Sequence, residues 1–276
     1  MADDRPPDPA RSSPRLRVGL IGFGTIGRQV WRRLSEQPAL GLDLAFVHAR
    51  DPSKLADVPP ALVLDDLSRA DRYAPDLVVE MAHPDITRRW GEALLAQASY
   101  LPLSVSALAD DALRERLVRR AQSAGTCLAV PHGALMGLDS LHEWRHQWDE
   151  VTITFRKSPA NIDFSESGLD GGSIRVETVV YDGPVRGIAA RFPRNVNTMV
   201  TCALATIGLD RCRGRLVAVP GLPVAIAEVE ARGRDGSRLA MHKSQPVVGV
   251  SGTEMFESQF ASILRAAGRL EPLAFV

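Results

Sequence analysis

The stretch VGLIGFGTIGRQVWRRL, Val18 to Leu34, constrains the fold of this 276-residue chain more than any other. An apolar, β-branched run leads into Gly22, Gly24 and Gly27, and an amphipathic helical pattern follows. In a strand–turn–helix unit with G-x-G-x-x-G spacing, the first glycine permits the tight turn and the second lets backbone approach a pyrophosphate. The third lets helix and strand pack closely. The unpaired amides of the helix N-terminus, those of Thr25 and Ile26 among them, then form an anion site. A purely structural glycine turn would use the same residues. Placement in the first βαβ unit of an alternating chain favours a bound dinucleotide.

From Leu16 to Val130 short apolar runs (LRVGLI, LDLAFVHA, ALVL, DLVVEMA, YLPLSV, TCLAV) read as strands. Helical patterns lie between several of them, clearest at Ile26 to Leu34, Ile86 to Gln97 and Asp110 to Ala124. All-apolar strands alternating with helices predict a parallel sheet covered on both faces, a doubly wound Rossmann α/β domain. After His132 the rhythm changes. VTITF, ETVVYDG and GRLVAV read as strands, and SESGLDGGS as a loop. Asn195 to Ile207 reads as a helix capped by Gly208, and AIAEVEARG with RLAMHKS as a hairpin turning at Arg-Asp-Gly. A last amphipathic helix spans Glu254 to Ala267. The expected division is a disordered tail at 1–15, a Rossmann unit at 16–131 plus 246–276, and an α/β unit for substrate and oligomerisation at 132–245.

Lys+Arg and Asp+Glu are equal at 33 each, so no net field selects nucleic acid or an anionic membrane. The first 15 residues hold three acids, three arginines and four prolines with no apolar run, which fits neither a signal peptide nor a spanning helix. Cys127, Cys202 and Cys212 have no paired spacing and read as structural thiols of a cytoplasmic protein. At the end of the second strand, where an acid holds the ribose 2′-hydroxyl of NAD, the chain reads Val47-His48-Ala49-Arg50-Asp51. A guanidinium in that turn suits a 2′-phosphate, which points to NADP or dual use within NAD(P). The competing reading is a solvated turn.

The succession GFGTIG, VVEMAHP, SVSALAD, VPHGALMGLDSL, TFRKSP and YDGPVRGIAARFPRNVNTM, with the closing hairpin, resembles the L-aspartate dehydrogenase family. FPRNVNT, Phe192 to Thr198, is the most specific piece. The resemblance implies a homodimer or larger oligomer that oxidises L-aspartate to iminosuccinate with NAD(P). It places Ala82 and His83 near the nicotinamide ribose, Ser106 and Ala107 in the S-x-G-A-L segment, and Asn195 and Asn197 at the site between the units. It also marks departures. Ala225 stands where the family carries a histidine regarded as catalytic, His132 replaces a serine, and Ser158 follows the retained Arg156-Lys157 pair.

Amino acid oxidation needs a group that takes the ammonium proton while hydride leaves Cα, and histidine suits that pKa range. Of the six histidines, His132 at the crossover is the first candidate. His242, in the strand beside the one bearing Ala225, is the second. His142 and His146 are spaced i, i+4 on an expected helix but lack an H-E-x-x-H pattern, so no metal site is expected. His48 stacks near adenine or does nothing. His83 lies at a strand end where doubly wound sheets bind ligands. Arg194 and Lys157 are candidates for a substrate carboxylate, against a reading of both as exposed charges. Two functions follow: an NAD(P)-dependent oxidoreductase acting on a small amino or imino acid, or a dinucleotide-binding protein with little turnover.

Overall fold

The computed structural model describes residues 15–248, 251–252 and 254–269. In chain order the first unit contains β1 (Leu16–Ile21), α1 (Thr25–Glu36), β2 (Leu42–His48), β3 (Leu77–Glu80), α2 (Pro84–Leu95), β4 (Ser99–Pro102) and α3 (Asp111–Ala124). Then come α4 (Leu138–Glu143), β5 (Trp148–Lys157), β6 (Thr178–Pro184), α5 (Val185–Arg191), α6 (Asn197–Ala205), β7 (Arg213–Ala218), β8 (Val224–Gly233), β9 (Arg238–Val248), β10 (Ser251–Gly252) and α7 (Met255–Ala266).

The first sheet is parallel, in the order β2-β1-β3-β4. Its strands are apolar on both faces because both are covered. Val18, Leu20, Val79 and Leu101 face a core shared with Val30 of α1 and with Phe260 and Ile263 of α7. On the other face Phe46, Val78, Tyr100 and Leu117 belong to a second core, which continues into Trp148, Ile153, Phe192 and Val229 of the second sheet. The sheets therefore share one apolar interior.

Two expected strands are not strands. ALVL becomes a 3-10 turn at Pro60–Leu62 with a single bridge, Val47 to Val63, because Pro59 and Pro60 have no N–H to give a ladder. TCLAV contributes one bridge, Tyr100 to Leu128, and Cys127 within it is exposed while Cys202 and Cys212 are buried. Helix α4 ends at Glu143, so His146 lies beyond it and the i, i+4 histidine pair does not share a helix. Of the expected tail, Arg15 is described and pairs with Asp43 at 2.7 Å; 1–14 lie outside the described residues.

The second sheet runs β10-β9-β8-β5-β7-β6, with β5 and β7 parallel and the other neighbours antiparallel. Helix α6 is buried almost all round, as a helix inside a core must be. It ends before Gly208, whose φ of +89° carries the left-handed bend expected there. The hairpin β8–β9 turns at Arg234-Asp235-Gly236. The expected boundary at 246 falls inside β9, which stays in the second sheet and pairs with β10. Helix α7 returns to the first unit, where Arg33 meets Glu257 at 2.7 Å and stacks 4.5 Å from the Phe260 ring centroid.

Candidate active site

The glycine turn has the shape its spacing implies. Gly22 adopts φ +104°, and a Cβ there would lie 2.7 Å from the Met81 carbonyl; a Cβ on Gly27 would collide with the Gly22 carbonyl oxygen. Gly24 is different: nothing lies within 4 Å of where its Cβ would be. It caps α1 without any side-chain bond to the first-turn amides. Two glycines therefore close strand onto helix, and the third leaves open space before unpaired N–H groups. That cradle fits a dinucleotide pyrophosphate.

Beside it, β3 ends in a wholly buried carboxylate. Glu80 Oε1 accepts the backbone N–H of Ala82 at 2.6 Å and of His83 at 2.8 Å, and the Ser104 hydroxyl at 3.0 Å. Oε2 accepts the Ser104 N–H at 3.2 Å. Burial pushes its carboxyl up from 4.5 to about 7, outweighing those donors. Glu80 thus ties together the loops after β3 and β4.

A cavity of about 180 Å³ opens where those loops meet the second sheet. Ile26, Met81, Ser104 and Val105 form its wall on the first unit. Its floor is the inward face of β5, β8 and β9, carrying Phe155, Lys157, Ala225, Ala227, Lys243 and Gln245. Strand alternation selects that set: Ala225 pairs with Gln245, and Ala227 with Lys243 on one side and Phe155 on the other. Lys157 is 8% exposed, and burial beside the Lys243 charge lowers its amine from 10.5 to about 8. Lys243 donates to Glu254 at 2.6 Å and to the Ala134 carbonyl at 2.7 Å. Ala134 has φ +57°, a left-handed backbone held by that bond and by the Ser258 hydroxyl, which accepts its N–H at 2.7 Å. Gln259 brings α7 to the cavity, and its Oε1, like that of Gln245, is buried without a hydrogen-bond partner.

Among the expected site residues, Lys157, Arg194, Asn195, Asn197 and Ile26 line this cavity. Arg194 is exposed at the mouth and paired with Asp163 at 3.2 Å. The Asn195 amide is engaged, accepting the Asp163 N–H at 2.8 Å and donating to the Asn161 carbonyl at 3.2 Å. Asn197 Oδ1 accepts the Ser106 N–H at 3.0 Å, so Ser106 and Ala107, both buried, stand behind the wall. Ala82 and His83 sit on the loop gathered by Glu80, where His83 caps α2 and meets Asp85 at 3.2 Å.

Neither expected proton donor lines the cavity. His242 lies on the opposite face of β9 from Lys243 and Gln245, reaching Glu228 Oε1 at 3.3 Å with a side chain 59% exposed. One residue of strand phase separates it from the floor. The His132 backbone N–H donates to Ser262 Oγ at 3.1 Å, and burial together with the Arg265 charge lowers its imidazole pKa. Its neighbours Gly133 and Ala134, not its ring, reach the site. His48 Nδ1 is 2.8 Å from the Leu64 carbonyl. At the end of β2 Arg50 is exposed, while Asp51 accepts the Ser53 N–H at 3.1 Å and hydroxyl at 2.7 Å and so caps the next turn. Among the described residues no cluster of His, Cys, Asp and Glu is placed to hold a metal ion.

Glu80, Ser104, Lys243, Gln245 and Gln259 were not singled out from sequence. The hairpin pattern carried a signal for Lys243 and Gln245, whose phase matches Ala225 once register is known. Gln259 joins the site only because α7 returns to it.

Residues 22–131 match the family model described as homoserine dehydrogenase, NAD binding domain, and residues 140–249 that of aspartate dehydrogenase, C-terminal. The chain is 35% identical to the aspartate dehydrogenase domain-containing protein of Xenopus tropicalis, covering 92% of this chain and 95% of that protein. It is 33% identical to L-aspartate dehydrogenase 1 of Bordetella pertussis, covering 94% and 95%. The crystal structure of aspartate dehydrogenase from Thermotoga maritima superposes with a TM-score of 0.71 at 25% identity, covering 95% of this chain and 99% of that one. At these identities and coverages the chain belongs to the L-aspartate dehydrogenase family of oxidoreductases.

Proposed function

We propose that this chain is an NAD(P)-dependent oxidoreductase that interconverts a small amino acid and its imino acid, with a dicarboxylate such as aspartate as the reference substrate. The observation that carries this reading is the cavity joining the glycine-turn end of the first sheet to a floor of lysines and amides. When bound, the nicotinamide supplies or accepts a hydride. The residues present fit such a group. Gly22, Gly24, Thr25, Ile26 and Gly27 would hold its pyrophosphate, and Ala82, His83 and Ser104 lie on the loops that would face its ribose. Lys243 and Arg194 supply cationic groups for the substrate's carboxylates, with Asn197 beside them. The apolar wall of Met81, Leu103 and Val105 keeps water away from the reacting carbon.

The test is purified protein with NADPH or NADH, ammonia and a panel of 2-oxo acids. Nicotinamide oxidation that requires both ammonia and the 2-oxo acid is the expected result; tight cofactor binding with no turnover on any member would overturn the reading. A non-catalytic role is not favoured, because the family match and a cavity that carries cations and amides occur together.

The end of β2 supports NADPH as the preferred form. Asp51 is committed to capping its own turn and Arg50 is exposed beside it. Arg50→Ala should weaken NADPH binding about tenfold and leave NADH within about twofold, as read by fluorescence titration. Equal losses would reject the 2′-phosphate contact.

A further inference from the structure

We propose that Gln259 and Gln245 determine specificity for the substrate's amino group, their side-chain amide oxygens accepting its N–H bonds. This rests on the oxidoreductase reading above and deepens it by assigning the residues that tell a 2-amino acid from its hydroxy or deaminated counterpart. An amino nitrogen brings hydrogen-bond donors and, as ammonium or iminium, a positive charge. Among the described residues no carboxylate lines the cavity, so the acceptors must be neutral oxygens. The lining side-chain amides are those of Asn195, Asn197, Gln245 and Gln259. Asn195 Oδ1 already accepts the Asp163 N–H at 2.8 Å, and Asn197 Oδ1 the Ser106 N–H at 3.0 Å. Gln245 Oε1 and Gln259 Oε1 are buried and have no donor among the described residues. A buried oxygen without a donor is rare in a native fold, and two on one cavity mark a place for a ligand's N–H groups.

Helix and sheet each bring one of these acceptors. Gln259 is 4% exposed and lies one turn along α7 from Met255, which also lines the cavity; its Nε2 donates to Met255 Sδ at 3.4 Å. A thioether has no proton to give, so the amide turns its N–H to the sulfur and its oxygen away from it. Gln245 shares a face of β9 with Lys243 and pairs across the sheet with Ala225, whose methyl leaves the floor beside it low. The terminal torsion of a glutamine is soft, so each oxygen can swing a short way to meet a donor that enters. Lys157 and Lys243 on the same floor repel an ammonium and attract carboxylates, which leaves the nitrogen to the two amides.

A pair of acceptors matches the geometry of the product. Starting from the neutral amine, the nitrogen lone pair becomes the C=N bond as Cα gives up a hydride, with two electrons, to the oxidised nicotinamide. The iminium so formed carries the positive charge and two N–H bonds, one for each amide oxygen. Both hydrogen bonds strengthen as that charge develops, so they favour the transition state over the bound amine. A hydroxy acid offers a single O–H to the same pair and leaves one oxygen without a donor; a deaminated acid leaves both so.

The test is calorimetric titration of the NADPH-loaded protein, where no hydride can leave the substrate, with L-aspartate, L-malate and succinate. Wild type should bind L-aspartate about tenfold more tightly than either of the others. Gln259→Met and Gln245→Met keep the length of the side chain and remove the oxygen. Each should weaken L-aspartate about tenfold and leave succinate within about twofold, and in ammonia-dependent reduction of the 2-oxo acid each should lower kcat about tenfold. Succinate, which has no nitrogen, also reports that the variant's site is still folded. Equal losses for L-aspartate and succinate, or no loss for either, overturn the assignment and leave the function standing. So does a loss confined to NADPH that is absent with its acetylpyridine analogue, which lacks the carboxamide NH2; the oxygens would then serve the nicotinamide. A wild type that turns over no 2-oxo acid with ammonia overturns the oxidoreductase reading and this assignment with it.

Discussion

Glu80 concentrates more of this site's architecture in one side chain than any other residue. Its carboxylate gathers the N–H groups of Ala82, His83 and Ser104 and the Ser104 hydroxyl, so it holds both loops that wall the cavity from the first unit. Fully buried, it pays for that service with a carboxyl raised from 4.5 to about 7. An acid whose folded pKa lies above its unfolded value binds more protons in the native state between the two. Stability therefore falls as pH rises across that window and levels above it. Glu80→Gln cannot titrate. The difference in unfolding free energy between wild type and Glu80→Gln should shift in favour of the glutamine by up to about 3 kcal/mol between pH 4.5 and about 7. Urea unfolding of both proteins at pH 5 and 7.5 measures it, and a pH-independent difference would mean that the carboxyl does not titrate there. Because Gln offers an NH2 where Ser104 needs an acceptor, the variant should also bind the dinucleotide less tightly.

At the scale of elements, the sequence was most legible where one element states its own structure. The glycine turn, α1, the apolar strands β1 and β3, and the Arg-Asp-Gly hairpin all carry local patterns that survive folding. Legibility failed where neighbours decide. ALVL is as apolar as a strand, but the prolines before it cannot complete a ladder. Helix α5 was missed because seven residues containing Gly187 show too little periodicity, and it forms because the strand before it ends at Pro184, which caps it. The candidate site divides in the same way. Lys157 and Arg194 were visible as cations beside expected elements, and Asn195 and Asn197 through the family resemblance; all four line the cavity. His132 and His242 were chosen by side-chain chemistry and by their elements, the crossover and the strand beside Ala225, without the strand phase. Which face of β9 meets the cavity depends on register with β8, and that register favours Lys243 and Gln245 over His242.

At the scale of the whole molecule, the cavity exists because two sheets are held at one crossover, and α6 does the holding. Its Thr198 hydroxyl donates to the Gly133 carbonyl at 2.6 Å and its Thr201 hydroxyl to the Pro131 carbonyl at 3.1 Å, both within the interior. Those carbonyls flank His132 in the segment that leaves the first unit, and Gly133 to Met136 then line the site. From the other side Lys243 and Ser258 bind Ala134, so the crossover is fixed by α6, by β9 of the second sheet and by α7. Replacing a threonine by valine preserves shape, removes the donor and leaves a carbonyl underused. Thr198→Val and Thr201→Val should each lower the unfolding free energy by about 1–2 kcal/mol, measured by urea denaturation. The two bonds clamp carbonyls two residues apart, so a crossover that loosens as one piece gains little further freedom from losing the second. The double variant should then cost less than the sum of the singles. Strict additivity would show that the clamps act separately. In either case, KM for the 2-oxo acid should rise in Thr198→Val, where the released backbone borders the cavity.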